Sequence, residues 1–286
     1  MNILITGANG QLGSQIKDYE AACMLDSRFR CHFTDLPQLD ITNKQQIEDY
    51  TRHHNIEAII NCAAYTDVDG AENNQEQANK LNDTAVGYLA EIASKHRIQL
   101  IHISTDYVFS GQHYLPYQET DEPSPQSIYG LSKLAGEKKI LENQAGIIIR
   151  TAWLYSSYGK NFVKTISSLS KEKNQLKVVY DQIGNPTAAA DLVKTIFTIL
   201  QNKPPKKLLT GLYHFANEGV CSWYDLAMTI AELEGNQVNI IPIESKDWPT
   251  PAKRPHYSVL NKARIKNAFD ISIPYWKDSL KQMLKA

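Results

Sequence analysis

Ile3–Ser14 reads ILITGANGQLGS, and this stretch decides the fold. An apolar run climbs into glycines, and apolar residues then recur at Leu12, Ile16 and Tyr19. That pattern is a strand, a tight turn and an amphipathic helix. A phosphate-cradling turn needs one small residue where the strand stops. It needs a second where backbone must approach a pyrophosphate, and a third where helix packs on strand. Gly7, Gly10 and Gly13 occupy those places. The helix start then offers unpaired N–H groups and a positive dipole end to phosphate. The spacing is Gly-x-x-Gly-x-x-Gly rather than Gly-x-Gly-x-x-Gly, and a glycine triplet can be a plain turn. Its place at the head of the chain's α/β pattern gives it meaning.

Outward from the turn, short apolar runs alternate with helical patterns. Asn2–Thr6, Arg30–Asp35, Ala58–Ala64, Gln99–Thr105 and Gly146–Thr151 read as strands, with helices over Thr42–His54, Thr84–His96 and Tyr129–Glu142. Near-continuous apolar strands separated by helices predict a doubly wound, parallel Rossmann-type sheet. Past Thr151 the alternation loosens. Strands are expected at Lys177–Asp181 and Gly211–Ala216, and helices at Phe162–Lys171, Ala190–Leu200 and Ser222–Leu233. A linker-like 201–211 and a proline-studded 247–260 interrupt them. The expected division is a dinucleotide-binding domain over 1–151. A smaller mixed α/β, mainly substrate-binding lobe follows over 152–286, with some segments returning to the sheet.

Asp35 ends the second predicted strand, 22 residues after Gly13, where an acid would hydrogen-bond an adenine ribose 2′-hydroxyl. That favours NAD. Arg28 and Arg30 lie near enough in sequence to meet a 2′-phosphate, so NADP stays open, and Asp35 could equally be a turn residue. Asp40 and Ile41 follow in LDITN and could edge the adenine, while Thr42 or Asn43 could simply cap the next helix.

The bulk numbers narrow the function. The chain has 286 residues, 42% hydrophobic and 21% charged, with a net charge of −1, which gives no general pull toward nucleic acid or anionic membrane. No apolar run approaches the ~18–20 residues that span a bilayer. The N-terminus reads as folded structure rather than a signal peptide. Cys23, Cys31, Cys62 and Cys221 lack metal-type spacing and fit reduced thiols in the cytoplasm.

Two further stretches carry chemistry. IHISTDYVFSG (Ile101–Gly111) brings Ser104, Thr105 and Asp106 to the end of an apolar strand, the ligand edge of a parallel sheet. SIYGLSKLAGEKKI (Ser127–Ile140) sets Tyr129 and Lys133 one helical turn apart on one face. Fifteen tyrosines in a chain of this composition supply about one such pair by chance, so the context must decide. A free tyrosine has a pKa near ~10, and a neighbouring ammonium draws it toward neutrality. Thr105 can hydrogen-bond a carbonyl oxygen where charge builds during hydride attack. Together these suit reversible ketone–alcohol reduction with a nicotinamide. His102 reads as a core histidine, and Tyr107 and Phe109 as packing residues.

The glycine triplet, NCAAYTDVDGAE, STDYVF, YGLSKLAGE, RTAWLYSSYGKNF, DQIGNPT, GLYHFAN and PTPAKRPHYSVL occur in consistent order from Asn2 to about Leu284. With them the chain resembles the dTDP-4-dehydrorhamnose reductase family, a branch of the extended short-chain dehydrogenase/reductases. The resemblance implies reduction of the 4-keto group of a dTDP-linked 4-keto-6-deoxysugar by NADPH or NADH. It implies Tyr129 as catalytic acid, Lys133 as its partner and Thr105 as the third member. Gly10, Gln11 and Leu12 match the pyrophosphate loop, and Asp35, Asp40 and Ile41 the adenosine pocket. Ala63, Ala64, Tyr65 and Thr66 match the loop beside the cofactor. Thr105, Asp106 and Trp153 match sugar-nucleotide contacts, and Asn161 and Arg254 are expected to face the substrate. An arginine suits a diphosphate because its planar fork donates two hydrogen bonds at once. Trp153 could instead be a core aromatic and Arg254 a solvated charge.

Some members of the family dimerise through magnesium held by glutamates. Here the first such position is Gln15, the second lies in NPTAAADL, and the chain ends at Ala286 without an acidic run. Neutral groups replace carboxylates poorly around a hard cation. The expectation is no metal, and a monomer or metal-independent homodimer with no nucleic-acid or membrane partner. Two other readings share the sequence pattern. One is a reductase giving a 4-epimeric sugar; the other is a regulatory subunit resembling that of methionine adenosyltransferase.

Overall fold

The computed structural model describes residues 1–22, 24–203 and 207–285. Cys23, Ala286 and part of the expected 201–211 linker therefore lie outside the described residues. In chain order the strands are β1 (Asn2–Thr6), β2 (Arg30–Thr34), β3 (Ala58–Asn61), β4 (Gln99–Thr105), β5 (Gly146–Thr151), β6 (Leu154–Tyr155), β7 (Gln175–Val179), β8 (Ile183–Gly184), β9 (Thr187–Ala188), β10 (Gly211–His214), β11 (Cys221–Ser222) and β12 (Asn239–Ile243). The α-helices are α1 (Gln11–Ala21), α2 (Lys44–His53), α3 (Val68–Asn73), α4 (Gln75–Asn79), α5 (Ala85–His96), α6 (Ile128–Glu142), α7 (Phe162–Glu172), α8 (Ala189–Gln201), α9 (Trp223–Glu234), α10 (Ala263–Phe269) and α11 (Trp276–Lys285).

Six parallel strands form the main sheet in the order β2-β1-β3-β4-β5-β10. Successive side chains of a strand face opposite ways, so an uninterrupted apolar strand needs cover on both sides. Ile3 and Ile5 point into a core shared with Ile16 of α1, Leu192 and Ile196 of α8, and Ile265 of α10. Leu4 points the other way, into a core with Ile47 of α2, Leu89 and Ile92 of α5, and Ile140 of α6. This is the doubly wound α/β sheet that the sequence pattern predicts. Its strand order reverses between β1 and β3, and the crevice outside the carboxyl ends of strands at such a point is where ligands bind.

The second half divides its residues. β10 extends the sheet beside β5, and α8 packs on α1. The remainder builds a smaller lobe from the parallel pair β7 and β12 and helices α7, α9 and α11. That lobe has its own core, including Val163, Ile166, Leu226, Ile230, Trp276 and Leu280. A fourth cluster around Val108, Phe109, Tyr117, Ala152 and Leu260 seams the lobe to the end of β4.

Two local features stand out. β3 stops at Asn61 rather than Ala64, because the chain peels away to pass the glycine turn. The proline- and polar-rich 116–127 segment, a composition that resists regular structure, is pinned at two places. Tyr117 exchanges backbone hydrogen bonds with Val259 and Asn261, and the Glu119 carboxylate accepts from the His214 backbone N–H.

Candidate active site

The glycine turn shows why each glycine is needed. Gly7 has φ +63°, and a Cβ there would lie 2.6 Å from the Ala63 backbone nitrogen. A Cβ on Gly13 would come within 2.5 Å of Ala8 Cα, where α1 presses on the turn. Gly10 is the N-cap of α1 and has no side chain to cap it, and the first turn of the helix carries no acid. The orphan N–H groups of that turn thus stay available for an anion. The cradle fits a dinucleotide pyrophosphate.

Around it opens a cleft of about 570 Å³ at the β1/β3 switch point. Gly7, Gly10, Gln11 and Leu12 line one side, and Asp35, Asp40 and Ile41 lie farther along the β2 edge. Asp35 accepts a hydrogen bond from the Asn9 backbone N–H at 3.0 Å, which ties it to the turn. Asp40 accepts from the backbone N–H and hydroxyl of Thr42, so it also shapes its own loop. Arg28 is held by Asp26 at 2.7 Å, and neither it nor Arg30 is among the lining residues.

Ala63, Ala64 and Thr66 line the wall that follows β3, while Tyr65 and Gly13 stand outside the lining. Asn82, in a π-helical turn over Lys80–Thr84, holds this loop by bonding both the N–H and the carbonyl of Tyr65. The π-turn aims the Asn82 side chain inward, where it is fully buried.

At the far end Thr105, Asp106, Tyr129 and Lys133 converge on the same cleft. Thr105 closes β4, donates to Asp106 Oδ1 at 3.0 Å and accepts from the Tyr107 N–H at 3.2 Å. Ser127 caps α6 by accepting from the Gly130 N–H, which places Tyr129 and Lys133 in the first turns. Burial pushes the Tyr129 phenol up, and the Thr105 hydroxyl beside it opposes this. Lys133, 2% exposed, donates to the Ile103 carbonyl at 2.7 Å rather than to the phenol. Burial lowers its ammonium to about 8, and Glu137 acts in the other direction. Burial raises the Asp106 carboxyl to about 6. Cys62 also faces the cleft, but burial lifts its thiol to about 12, far from a thiolate nucleophile at neutral pH.

The lobe supplies the remaining wall. Trp153 sits at φ +48°, an uncommon backbone state for a bulky residue, and its ring stacks on Trp223 with centroids 3.6 Å apart. Both line the cleft. Arg254 reaches across to Asp69 at 2.6 Å and donates to the Tyr107 hydroxyl at 2.9 Å. Asn161 stands outside the lining. It caps α7, and its Nδ2 donates to Gln11 Oε1 at 3.0 Å, bracing the pyrophosphate side from the lobe.

Sequence reasoning missed Tyr107, Trp223 and Asn82. Tyr107, taken for packing, meets Tyr129 edge-on at 5.6 Å and anchors Arg254. Its place two residues past the strand-end threonine was the available signal. Trp223 lies far along the chain and Asn82 in a polar helical stretch, and nothing local marks either. Among the described residues no group of three or more His, Cys, Asp or Glu is placed to hold a metal ion, and no helix is long and apolar enough to cross a membrane.

The family model for the RmlD substrate binding domain matches residues 1–286. A dTDP-4-dehydrorhamnose reductase from Aggregatibacter actinomycetemcomitans is 40% identical, covering 98% of this chain and 97% of that protein. The crystal structure of a dTDP-4-dehydrorhamnose reductase from Clostridium acetobutylicum superposes with a TM-score of 0.92 at 39% identity, covering 100% of this chain and 99% of the other. One from Bacillus anthracis, in complex with NADP, gives 0.92 at 36% identity over 99% and 98%.

Proposed function

The chain belongs to the dTDP-4-dehydrorhamnose reductase family, and from that membership we propose a residue-level account of its reaction. The enzyme reduces the 4-keto group of dTDP-4-dehydro-β-L-rhamnose to dTDP-L-rhamnose at the expense of NADPH or NADH. The nicotinamide, when bound, supplies the hydride. The chain's own residues do the rest. Gly7, Gly10 and the first turn of α1 hold the pyrophosphate, with Asp35, Asp40 and Ile41 toward the adenosine. Residues 1–151 thus serve mainly the cofactor, and the 152–286 lobe mainly the sugar nucleotide.

Tyr129 gives its proton to the C4 oxygen as negative charge builds there. A phenol kept protonated by burial is the right starting state for an acid. Thr105 hydrogen-bonds the same oxygen, and Lys133 favours the phenolate that results. Trp153 and Trp223 form an apolar wall against the sugar. Arg254, freed from Asp69 and Tyr107, is suited to pair with the diphosphate. The observation that carries this reading is the meeting of Thr105, Tyr129 and Lys133 with the glycine turn in one cleft. We further assign the enzyme to the cytoplasm, as a monomer or metal-independent homodimer. Gln15 at the expected first glutamate position supports metal independence.

The test supplies enzymatically prepared dTDP-4-dehydro-β-L-rhamnose with NADPH and follows nicotinamide oxidation, with product configuration read by NMR. A rhamnose-configured product is expected. No turnover by well-folded protein refutes the assignment, and a talose-configured product moves it to the 4-epimeric reaction.

A further inference from the structure

We infer that His102 is a positioning residue for Lys133: its imidazole tautomer, imposed from the glycine-turn strand, aims a ring N–H at the lysine nitrogen. The inference rests on the reading of Lys133 as partner of Tyr129. His102 sits in the middle of β4 with no exposed surface. Its two ring nitrogens face Asn61 Nδ2 at 2.9 Å and Lys133 Nζ at 3.3 Å.

The tautomer follows from the groups behind it. Asn61 Oδ1 accepts from the Thr6 hydroxyl at 2.6 Å and from the Ala63 backbone N–H at 3.2 Å. A backbone N–H can only donate, so flipping the amide would set donor against donor. Asn61 Nδ2 therefore stays toward His102 Nδ1. An amide NH₂ can only donate as well, so Nδ1 must accept. Burial, with Lys133 adding to it, holds the imidazole neutral, well below its ordinary pKa. The single ring proton is on Nε2.

That proton points at Lys133. As an amine, Lys133 donates to the Ile103 carbonyl and accepts from His102 through its lone pair. As an ammonium it has three donors and no acceptor, so N–H meets N–H. A hydrogen bond made only to the neutral form disfavours the charged one. The other groups facing Lys133 act differently. On α6, Tyr129 lies one turn before it and Glu137 one turn after; Thr105 and Asp106 close the strand side. Glu137 favours the ammonium, but its carboxylate is shared with Arg150 and Ser104. Thr6 immediately precedes Gly7, so the strand end that shapes the cofactor turn also sets the proton affinity of the lysine. The consequence is a lysine able to exchange a proton near neutral pH.

The test needs neither cofactor nor substrate, so it separates from the reductase assignment. Long-range ¹H–¹⁵N correlation spectra of histidine-labelled protein should show His102 as the Nε2–H tautomer at neutral pH. An Nδ1–H ring or an imidazolium overturns the inference. The Lys133 ¹³Cε signal, assigned by its loss in Lys133→Arg, gives the titration. His102→Gln, whose amide can turn an oxygen to the lysine, should raise that midpoint by about one pH unit, a tenfold smaller ionisation constant. Asn61→Asp keeps the acceptor for Thr6 and Ala63 while drawing the ring proton to Nδ1. It should move the midpoint the same way, so a folding defect in either variant leaves the other to decide. An unchanged Lys133 titration in folded His102→Gln or Asn61→Asp overturns the inference. Loss of ketosugar turnover with these titrations as expected would count against the reductase reading alone.

Discussion

Glu137→Gln removes one charge at nearly constant volume, and the structure predicts a large penalty. Glu137 and Arg150 are 1% and 2% exposed. Arg150 donates from Nε to Glu137 Oε1 at 2.9 Å and from Nη2 to Oε2 at 2.7 Å, and the Ser104 hydroxyl also donates to Oε1. Arg150 Nη1 has no hydrogen-bond partner among the described residues, and its guanidinium lies 4.9 Å from the Phe109 ring. A glutamine would put an NH₂ against one of these donors and leave the guanidinium without a counter-charge. Breaking a buried pair this way costs about 3–5 kcal/mol. In a chain of this size that is a fall in Tm of roughly 6–20 °C. Because the pair ties α6 to β4 and β5, it also sets Tyr129 and Lys133 against Thr105. The removed carboxylate favours the Lys133 ammonium, so its loss lowers the Lys133 titration and moves the alkaline limb of kcat down. Denaturant unfolding and a pH–rate profile read the two effects. Replacing the whole cluster, as Ser104→Ala with Glu137→Met and Arg150→Met, should recover most of the stability, since an apolar cluster strands no charge. A single-variant cost under about 1 kcal/mol, or simple additivity in the triple variant, would refute the reasoning.

Four other outcomes follow from the site. Tyr129→Phe should reduce kcat by about 10²–10⁴-fold while NADPH affinity, read by calorimetry, stays close to wild type; near-normal turnover would remove Tyr129 as the acid. Gly7→Ala puts a Cβ 2.6 Å from the Ala63 nitrogen in a left-handed backbone, so calorimetry should show cofactor binding weakened at least tenfold. Burial raises Asp106 from 3.8 to about 6, so between those values the native protein holds a proton that the unfolded chain has released. Stability therefore falls as pH rises through that window, and Asp106→Asn should flatten it by up to about 3 kcal/mol in denaturant titrations. Prolonged chelation followed by gel filtration should change neither turnover nor assembly; loss of either would show that a metal is needed.

Legibility in the sequence tracked the range of the interactions involved. β4 and β5 fall where the apolar runs place them, because a strand buried on both faces marks itself residue by residue. α2 starts at Lys44 rather than Thr42 because Asn43, not Thr42, caps it through the Gln46 N–H. The two-residue strands β6, β8, β9 and β11 have no periodicity to find. They exist only because the lobe folds the chain back on itself.

The site divides the same way. The groups we propose to react were legible because strand-end Thr105, helix-start Tyr129 and Lys133, and the glycines each sit where a local rule gives them meaning. The groups that adjust them were not. Asn61 ends β3, and His102, Glu137 and Arg150 occupy interior positions of β4, α6 and β5; all four are buried. Each is satisfied by a partner on another element, so its polarity becomes interpretable only once the sheet is assembled. Tyr129 and Lys133 four residues apart were never sufficient on their own. On the inference above, the proton affinity of Lys133 depends on Thr6 and Asn61, more than sixty residues earlier, and on an ion pair closed by β5. Reading the acid from sequence is thus a local inference, whereas reading its pH range requires the whole sheet.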